Sequence, residues 1–199
     1  HRGHGIARLK KRQTDFGTVA DHHGDGHGFS QGAAQGQENG SEYAGHGKGA
    51  TSIDILIPFL KKNGCEVEFV FTQRSGHASE LAANASSDGF GLVVAVGGDG
   101  TVNEVAQGLI GTHTPMGIIP IGSGNGLARE LGISMNLSKS ARTLIEGKTL
   151  HLDVCKLNDQ SFLCTSGIGF DALIAYKMSK SVSRGFLRYV KLVVQEIIF

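Results

Sequence analysis

The sequence predicts an α/β domain organised around a parallel, layered sheet with right-handed crossovers. Three observations carry that prediction. From Ile53 onward, short apolar runs take turns with stretches of helical period. Two glycine-rich turns each stand directly after a strand-like run and directly before a helical one. The chain of 199 residues is 40% hydrophobic, enough for one core with a tail but tight for two complete domains.

The elements follow in order. Residues Ser52 to Asn63 place Ile53, Ile57 and Leu60 at helical spacing, and Lys61, Lys62, Asn63 and Gly64 give a basic last turn and a glycine C-cap. Glu66 to Thr72 is rich in β-branched and aromatic residues and reads as a strand. Gly76 to Ala85 reads as a helix, and Leu92 to Val96 as a strand covered on both faces. Then come a helix at Val102–Ile110, a strand at Met116–Pro120, a helix opening at Gly126–Leu131, an amphipathic helix at Ser138–Glu146 and a strand around Leu152–Leu157.

Residues 1–51 are of another kind. Twelve of the thirty glycines and six of the nine histidines fall in the first fifty residues, with no apolar periodicity after Leu9, so the stretch reads as a disordered or non-native segment. His22, His23 and His27 lie in it without a scaffold to fix ligand geometry, which argues against a metal site. Cys65, Cys155 and Cys164 are odd in number, far apart and set in apolar runs, as expected of reduced thiols in a core. A net charge of +1 with interleaved signs lacks the basic face of a nucleic-acid binder. No signal peptide is visible and no apolar run approaches the roughly 20 residues of a membrane span, so the expected location is cytoplasmic and not transmembrane.

The chemistry is concentrated in the two glycine turns. Gly97-Gly98-Asp99-Gly100-Thr101-Val102-Asn103-Glu104 sits where an open α/β sheet binds ligands, at a strand's carboxyl end, with a helix N-terminus offering free N–H groups to an anion. It matches neither G-x-x-x-x-G-K-[ST] nor G-x-G-x-x-G. Asp99 and Glu104 beside a polyphosphate would repel it unless a cation or a proton transfer gave them a role. The plain alternative for Asp99 is to orient its loop by accepting backbone N–H bonds. The second turn, Gly122-Ser123-Gly124-Asn125-Gly126 with Arg129, repeats the arrangement, and Asn125 suits a helix cap as well as a ligand contact. Two such loops on neighbouring strands favour one shared nucleotide cleft.

Taken together, Thr72 with Ser75-Gly76-His77-Ala78, the two turns, and Leu152-Asp153-Val154 leading to Ser166-Gly167-Ile168-Gly169-Phe170-Asp171 resemble the diacylglycerol kinase catalytic domain superfamily. That superfamily includes bacterial lipid kinases and sphingosine kinases, and the likeness runs from about Cys65 to Arg188. It implies a three-layer nucleotide-binding domain at 52–150 and the beginning of a β-rich lipid-substrate domain at 151–199. It further implies transfer of the terminal phosphate of ATP, with Mg²⁺, to the hydroxyl of a lipid such as diacylglycerol or a sphingoid base at a membrane surface.

By the same likeness Thr72, Gly97, Gly98, Asp99, Gly100, Thr101, Asn103, Glu104, Gly122, Ser123, Gly124 and Asn125 would contact the nucleotide or its metal. Asp99 would serve as metal ligand and, by likeness to the sphingosine kinase branch, as proton acceptor with Asp171 holding the lipid head group, although an ordinary helix cap suits Asp171 equally; by likeness to the bacterial diacylglycerol kinases the acid–base residue would instead lie on the second domain. Family members open with a strand ending in an Asn-Pro-x-[AS]-Gly loop at the centre of the sheet. No such loop precedes Ser52, so either the native start has been replaced, which would leave the central position uncovered, or a divergent segment fills the place, and the chain is expected to be truncated at both ends. Arg184, Arg188 and Lys191 beside apolar residues suit a helix packed on its own protein better than a membrane contact. A homodimer is compatible with the sequence and not required by it.

Overall fold

The computed structural model describes residues 4–11, 48–164, 166–180 and 186–198. In chain order the elements are β1 (Gly5–Lys11), α1 (Lys48–Lys62), β2 (Cys65–Phe71), α2 (His77–Ser87), β3 (Leu92–Gly97), α3 (Asp99–Leu109), β4 (Met116–Pro120), α4 (Gly126–Glu130), α5 (Leu137–Glu146), β5 (Cys155–Leu157), β6 (Gln160–Phe162), α6 (Phe170–Lys180) and α7 (Phe186–Ile198). Four strands form one sheet in the order β2-β1-β3-β4, and β5 and β6 form a separate hairpin. β3 and β4 are parallel, whereas β1 runs antiparallel to both of its neighbours. β2, β3 and β4 therefore all end on the same edge of the sheet.

β1 corrects the reading of residues 1–51 as wholly disordered or non-native, and of the two alternatives for the central position it bears out a divergent segment that fills the place. Residues 5–11 fill that centre, pairing from Gly5↔Phe71 to Lys11↔Cys65 on one side and from Gly5↔Val96 to Leu9↔Leu92 on the other. The register explains the direction. It sets Arg8 across from Glu68 and Lys10 across from Glu66, so basic and acidic residues meet on one face while Ala7 meets Phe69 and Leu9 meets Val67 on the other. Arg8 pairs with Glu68 and approaches Asp88 at 3.9 Å, and its guanidinium lies 5.1 Å from the centre of the Phe90 ring. A strand with three basic residues thus becomes acceptable in a central position. Residues 12–47, with His22, His23 and His27, lie outside the described part of the chain.

Alternation along β1 divides the core into two halves, one on each face of the sheet. Ile6, Val93, Ala95 and Ile118 face a cluster with Ala78, Ala82 and Ala85 of α2 and Val102, Val105 and Leu109 of α3. Ala7, Leu9, Val94, Val96 and Ile119 face Leu56 and Leu60 of α1 and Ala141 of α5. Helices cover both faces, giving three layers, with β3 buried along its whole length. α1 turns Leu56 and Leu60 inward, so of the predicted stripe of Ile53, Ile57 and Leu60 the last is fully buried and the other two half-buried, and the turn after the helix is made at Gly64 with φ 77°.

α2 and α3 cross at Gly108, where a Cβ would be driven into the Ser79 carbonyl oxygen. In an open helix, Gly→Ala gains about 1 kcal/mol. At this crossing the collision with rigid backbone costs about 1–3 kcal/mol, so Gly108→Ala is expected to lower the urea midpoint of unfolding rather than raise it. A higher midpoint would show that α2 and α3 are free to separate.

Beyond residue 150 the described secondary structure is the β5–β6 hairpin, turned by Asn158 at φ 53°, followed by α6 and α7. The predicted strand at Leu152–Leu157 shrinks to Cys155–Leu157. Cys65 is buried as expected, but Cys155 and Cys164 are exposed, which corrects their reading as core thiols. Among the described residues no helix is long and apolar enough to cross a membrane.

Candidate active site

β3 runs without a break into α3. Gly98, in extended conformation with φ −102° and ψ −170°, is the N-cap, so α3 begins at Asp99, three residues before the predicted start. The first backbone bond of the helix is Val102 N–H to the Gly98 carbonyl at 3.0 Å. The N–H groups of Asp99, Gly100 and Thr101 in this first turn have no intrahelical acceptor, and they stand at the common end of β2, β3 and β4.

The second turn follows β4 at the same edge, tied by Ile121 N–H to the Gly97 carbonyl at 3.0 Å. The two turns touch through their backbones. A Cβ on Gly98 would lie 3.1 Å from Gly122 Cα, and one on Gly122 would overlap Gly98 Cα and come within 2.8 Å of Asn125 Oδ1. Glycine at both positions is what permits the approach. Gly97 is likewise covered by Thr101, whose Oγ1 would be 2.5 Å from an added Cβ.

Asp99 joins the two turns. Its Oδ2 accepts the Asn125 N–H at 2.8 Å and its Oδ1 accepts the Gly126 N–H at 2.6 Å, at the start of α4. The carboxylate therefore caps a helix other than its own, which is the loop-orienting role weighed for it from the sequence. A carboxylate has about four acceptor positions, and these bonds use two of them on an exposed side chain. Asn125 turns inward instead of toward a ligand. At φ 56° and only 6% exposed, its Oδ1 accepts the Gly122 N–H at 3.0 Å and its Nδ2 donates to the Gly122 carbonyl at 2.8 Å. Its side chain makes no cap bond to α4, so it is a staple within its own turn. Ser123 and Gly124 are exposed at the rim, and Arg129 Nε donates to the Gly124 carbonyl at 2.9 Å.

The remaining predicted residues separate. Glu104 reaches away from the turn to α2, where Oε2 accepts the Ala78 N–H at 3.3 Å and Oε1 accepts from Ser75 Oγ at 3.4 Å. It supplies the cap that Gly76, the N-cap of α2, cannot. Thr72 lies at the correct edge, with both its N–H and its hydroxyl donating to the carbonyl of His4 at 3.1 Å. Asn103 is half-buried on α3. Asp171 is the second residue of α6, and its side chain lies outside the described residues.

Two residues near the turns escape prediction from sequence. His4 brings Nδ1 to 3.5 Å from Thr101 Oγ1. Cys164 Sγ and Asp99 Oδ1 flank Gly126, at 3.5 and 3.6 Å from the place of its missing Cβ. His4 carries no local signal, since its position depends on the direction of β1. Cys164 sits in a run that reads as core.

Two glycine turns at one strand-end edge, with helix N-termini and a carboxylate between them, place this chain among α/β proteins with an open, parallel-containing sheet. The Diacylglycerol kinase catalytic domain family matches residues 41–157, and the chain belongs to that family. It is 31% identical over 160 residues to an uncharacterised protein of Synechocystis, covering 74% of this chain and 37% of that one. It is 34% identical over 137 residues to a diacylglycerol kinase of Mycobacterium tuberculosis, covering 66% and 44%. Solved structures of a diacylglycerol kinase from Bacillus anthracis superpose with TM-scores of 0.50 and 0.51 at 29% identity, over 60% of this chain and 43–44% of theirs. The chain thus spans less than half the length of these relatives.

Proposed function

We propose that this chain is the nucleotide-binding part of an ATP-dependent lipid kinase that transfers the γ-phosphate to the hydroxyl of a lipid, diacylglycerol or a sphingoid base, at the cytoplasmic face of a membrane. The observation that carries this reading is the backbone contact of Gly98 with Gly122, with Asp99 fixed between the two turns. Family membership and the kinase names of the relatives support it.

Phosphoryl transfer demands positioning and charge stabilisation more than covalent chemistry. The free N–H groups of Asp99, Gly100 and Thr101 suit the phosphate oxygens, and the absence of side chains on Gly97, Gly98 and Gly100 leaves the backbone open to them. The unused acceptor positions of Asp99 suit Mg²⁺, which kinases commonly hold with one or two carboxylates together with the substrate's phosphates. When bound, that ion would neutralise charge on the phosphates. Asp99 is also the carboxylate able to accept the proton of an incoming lipid hydroxyl. Glu104 and Asn125 act as supports in this reading, and Ser123 and Asn103 remain available to the nucleotide.

A second reading, nucleotide binding without transfer, is favoured by one observation: both oxygens of Asp99 are already engaged by backbone N–H groups. Incubation with γ-labelled ATP, Mg²⁺ and mixed micelles of diacylglycerol or sphingosine separates the two. Label in one lipid is the expected result and names the acceptor. Nucleotide binding with no labelled lipid selects the second reading, and absence of nucleotide binding overturns both.

A further inference from the structure

Beside the second glycine turn, α1, the end of β4, α4 and the approach to α5 leave a cavity of about 460 Å³. Ile55, Ile121, Met135 and Leu137 give it an apolar wall, Gly122 brings the backbone of the turn, and Arg129 brings a guanidinium. Ile55 is 47% and Met135 38% exposed, so the wall keeps aliphatic surface open to a ligand. Gly122 is also the residue whose backbone touches Gly98. The cavity therefore begins one backbone away from the first turn of α3.

Its wall is tied to the turn and to the core. The Asn125 amide that staples the turn also donates from Nδ2 to Met135 Sδ at 3.6 Å, and Arg129 Nε donates to the Gly124 carbonyl at 2.9 Å, which fixes the guanidinium at the rim. Ile121 and Leu137 pack against the core cluster of Leu56, Leu60 and Ile119. A guanidinium face, a thioether and aliphatic side chains together suit a flat ring system with apolar faces and polar edges. A free phosphate would leave the aliphatic wall unused, and an acyl chain would strip water from the guanidinium without replacing it.

We infer that this cavity takes the heterocyclic base of the nucleotide, with the Arg129 guanidinium and the Met135 thioether against the ring and Ile55, Ile121 and Leu137 as its apolar surround. This deepens the reading of the site as an ATP cleft and rests on it. Phosphates and base are thereby assigned to different residues: the N–H groups of Asp99, Gly100 and Thr101 on one side of the Gly98–Gly122 contact, and the cavity wall on the other. Their contributions to affinity are separable.

Calorimetric titration with MgATP, and separately with magnesium tripolyphosphate, of the unaltered chain, Ile55→Ala, Met135→Ala and the double variant tests the assignment. Both side chains are more than a third exposed, so the fold should tolerate their truncation. The double variant is expected to bind MgATP about tenfold more weakly, the worth of roughly two buried methylenes, and each single variant should show part of that loss. Tripolyphosphate affinity should stay unchanged in all three. Equal MgATP affinity in the double variant and the unaltered chain overturns the inference while leaving the ATP reading intact. An equal loss for MgATP and tripolyphosphate also overturns it, because the wall would then be acting through the glycine turn. Failure of the unaltered chain to bind MgATP overturns the ATP reading and the inference together.

Discussion

Ala7→Asp is expected to abolish cooperative folding. Ala7 is fully buried in the middle of the central strand, opposite Phe69 on one side and Val94 on the other, in a cluster with Leu9, Leu56, Leu60 and Leu92. A carboxylate there has no cationic partner in that cluster, and Arg8 and Lys10 project from the opposite face of the strand. An unpaired buried charge costs several kcal/mol whether it stays ionised or takes up a proton. A domain has about 5–15 kcal/mol in total, and the lost strand would strip pairing from β2 and β3 at once. Urea titration followed by circular dichroism should show no sigmoidal transition for this variant. Lys10→Ala, an exposed change on the same strand, should stay within about 0.5 kcal/mol of the unaltered protein. A cooperative transition in Ala7→Asp near the unaltered midpoint would mean that β1 is dispensable to the sheet.

The second large effect falls on Asp99. Asp99→Ala is expected to reduce phosphate transfer by about 10²–10⁴-fold, the usual contribution of a positioned acid–base group. It should also lower stability by about 0.5–2 kcal/mol, because the Asn125 and Gly126 N–H groups lose their acceptor at the start of α4. Asp99→Asn separates the two roles. Its carboxamide oxygen still accepts one of the two N–H bonds while its NH2 faces the other donor, so only part of the stability should return while transfer stays lost. Transfer assays and thermal unfolding of both variants decide the matter. Full transfer by Asp99→Asn would remove the proton-accepting and metal-binding roles from this residue and leave it as a structural cap.

The parallel part of the fold was legible because β3 and β4 are short apolar runs bounded by glycine turns, and the glycines between strand and helix marked the edge at which both turns stand. β1 was not legible. Gly-Ile-Ala-Arg-Leu-Lys-Lys has neither the continuous apolar run of a central parallel strand nor the length to stand out, and its charges become acceptable only across from Glu66 and Glu68, more than fifty residues away. Tertiary pairing supplied what local pattern could not. In the candidate site, the sequence placed both turns at one edge of the sheet but could not assign the direction of each side chain. Glu104 looks like a ligand contact because it follows the glycine turn, yet five residues beyond Asp99 the helix has carried it round to the N-terminus of α2. Asn125 has the residue type of a cap, but at positive φ it folds back onto Gly122.

The position of β1 also constrains how the chain reaches its folded state. β2 and β3 are sequential strands that do not touch, and each must keep one bare edge facing the other until residues 5–11 insert between them. Those pairings join Gly5 to Phe71 and to Val96, so the sheet closes through some of the longest-range contacts in the molecule. Late, non-local closure slows folding, and a partly assembled sheet with two facing unpaired edges is a template for strands from other chains. Whatever leaves β1 unpaired therefore opens two strand edges at once to other chains.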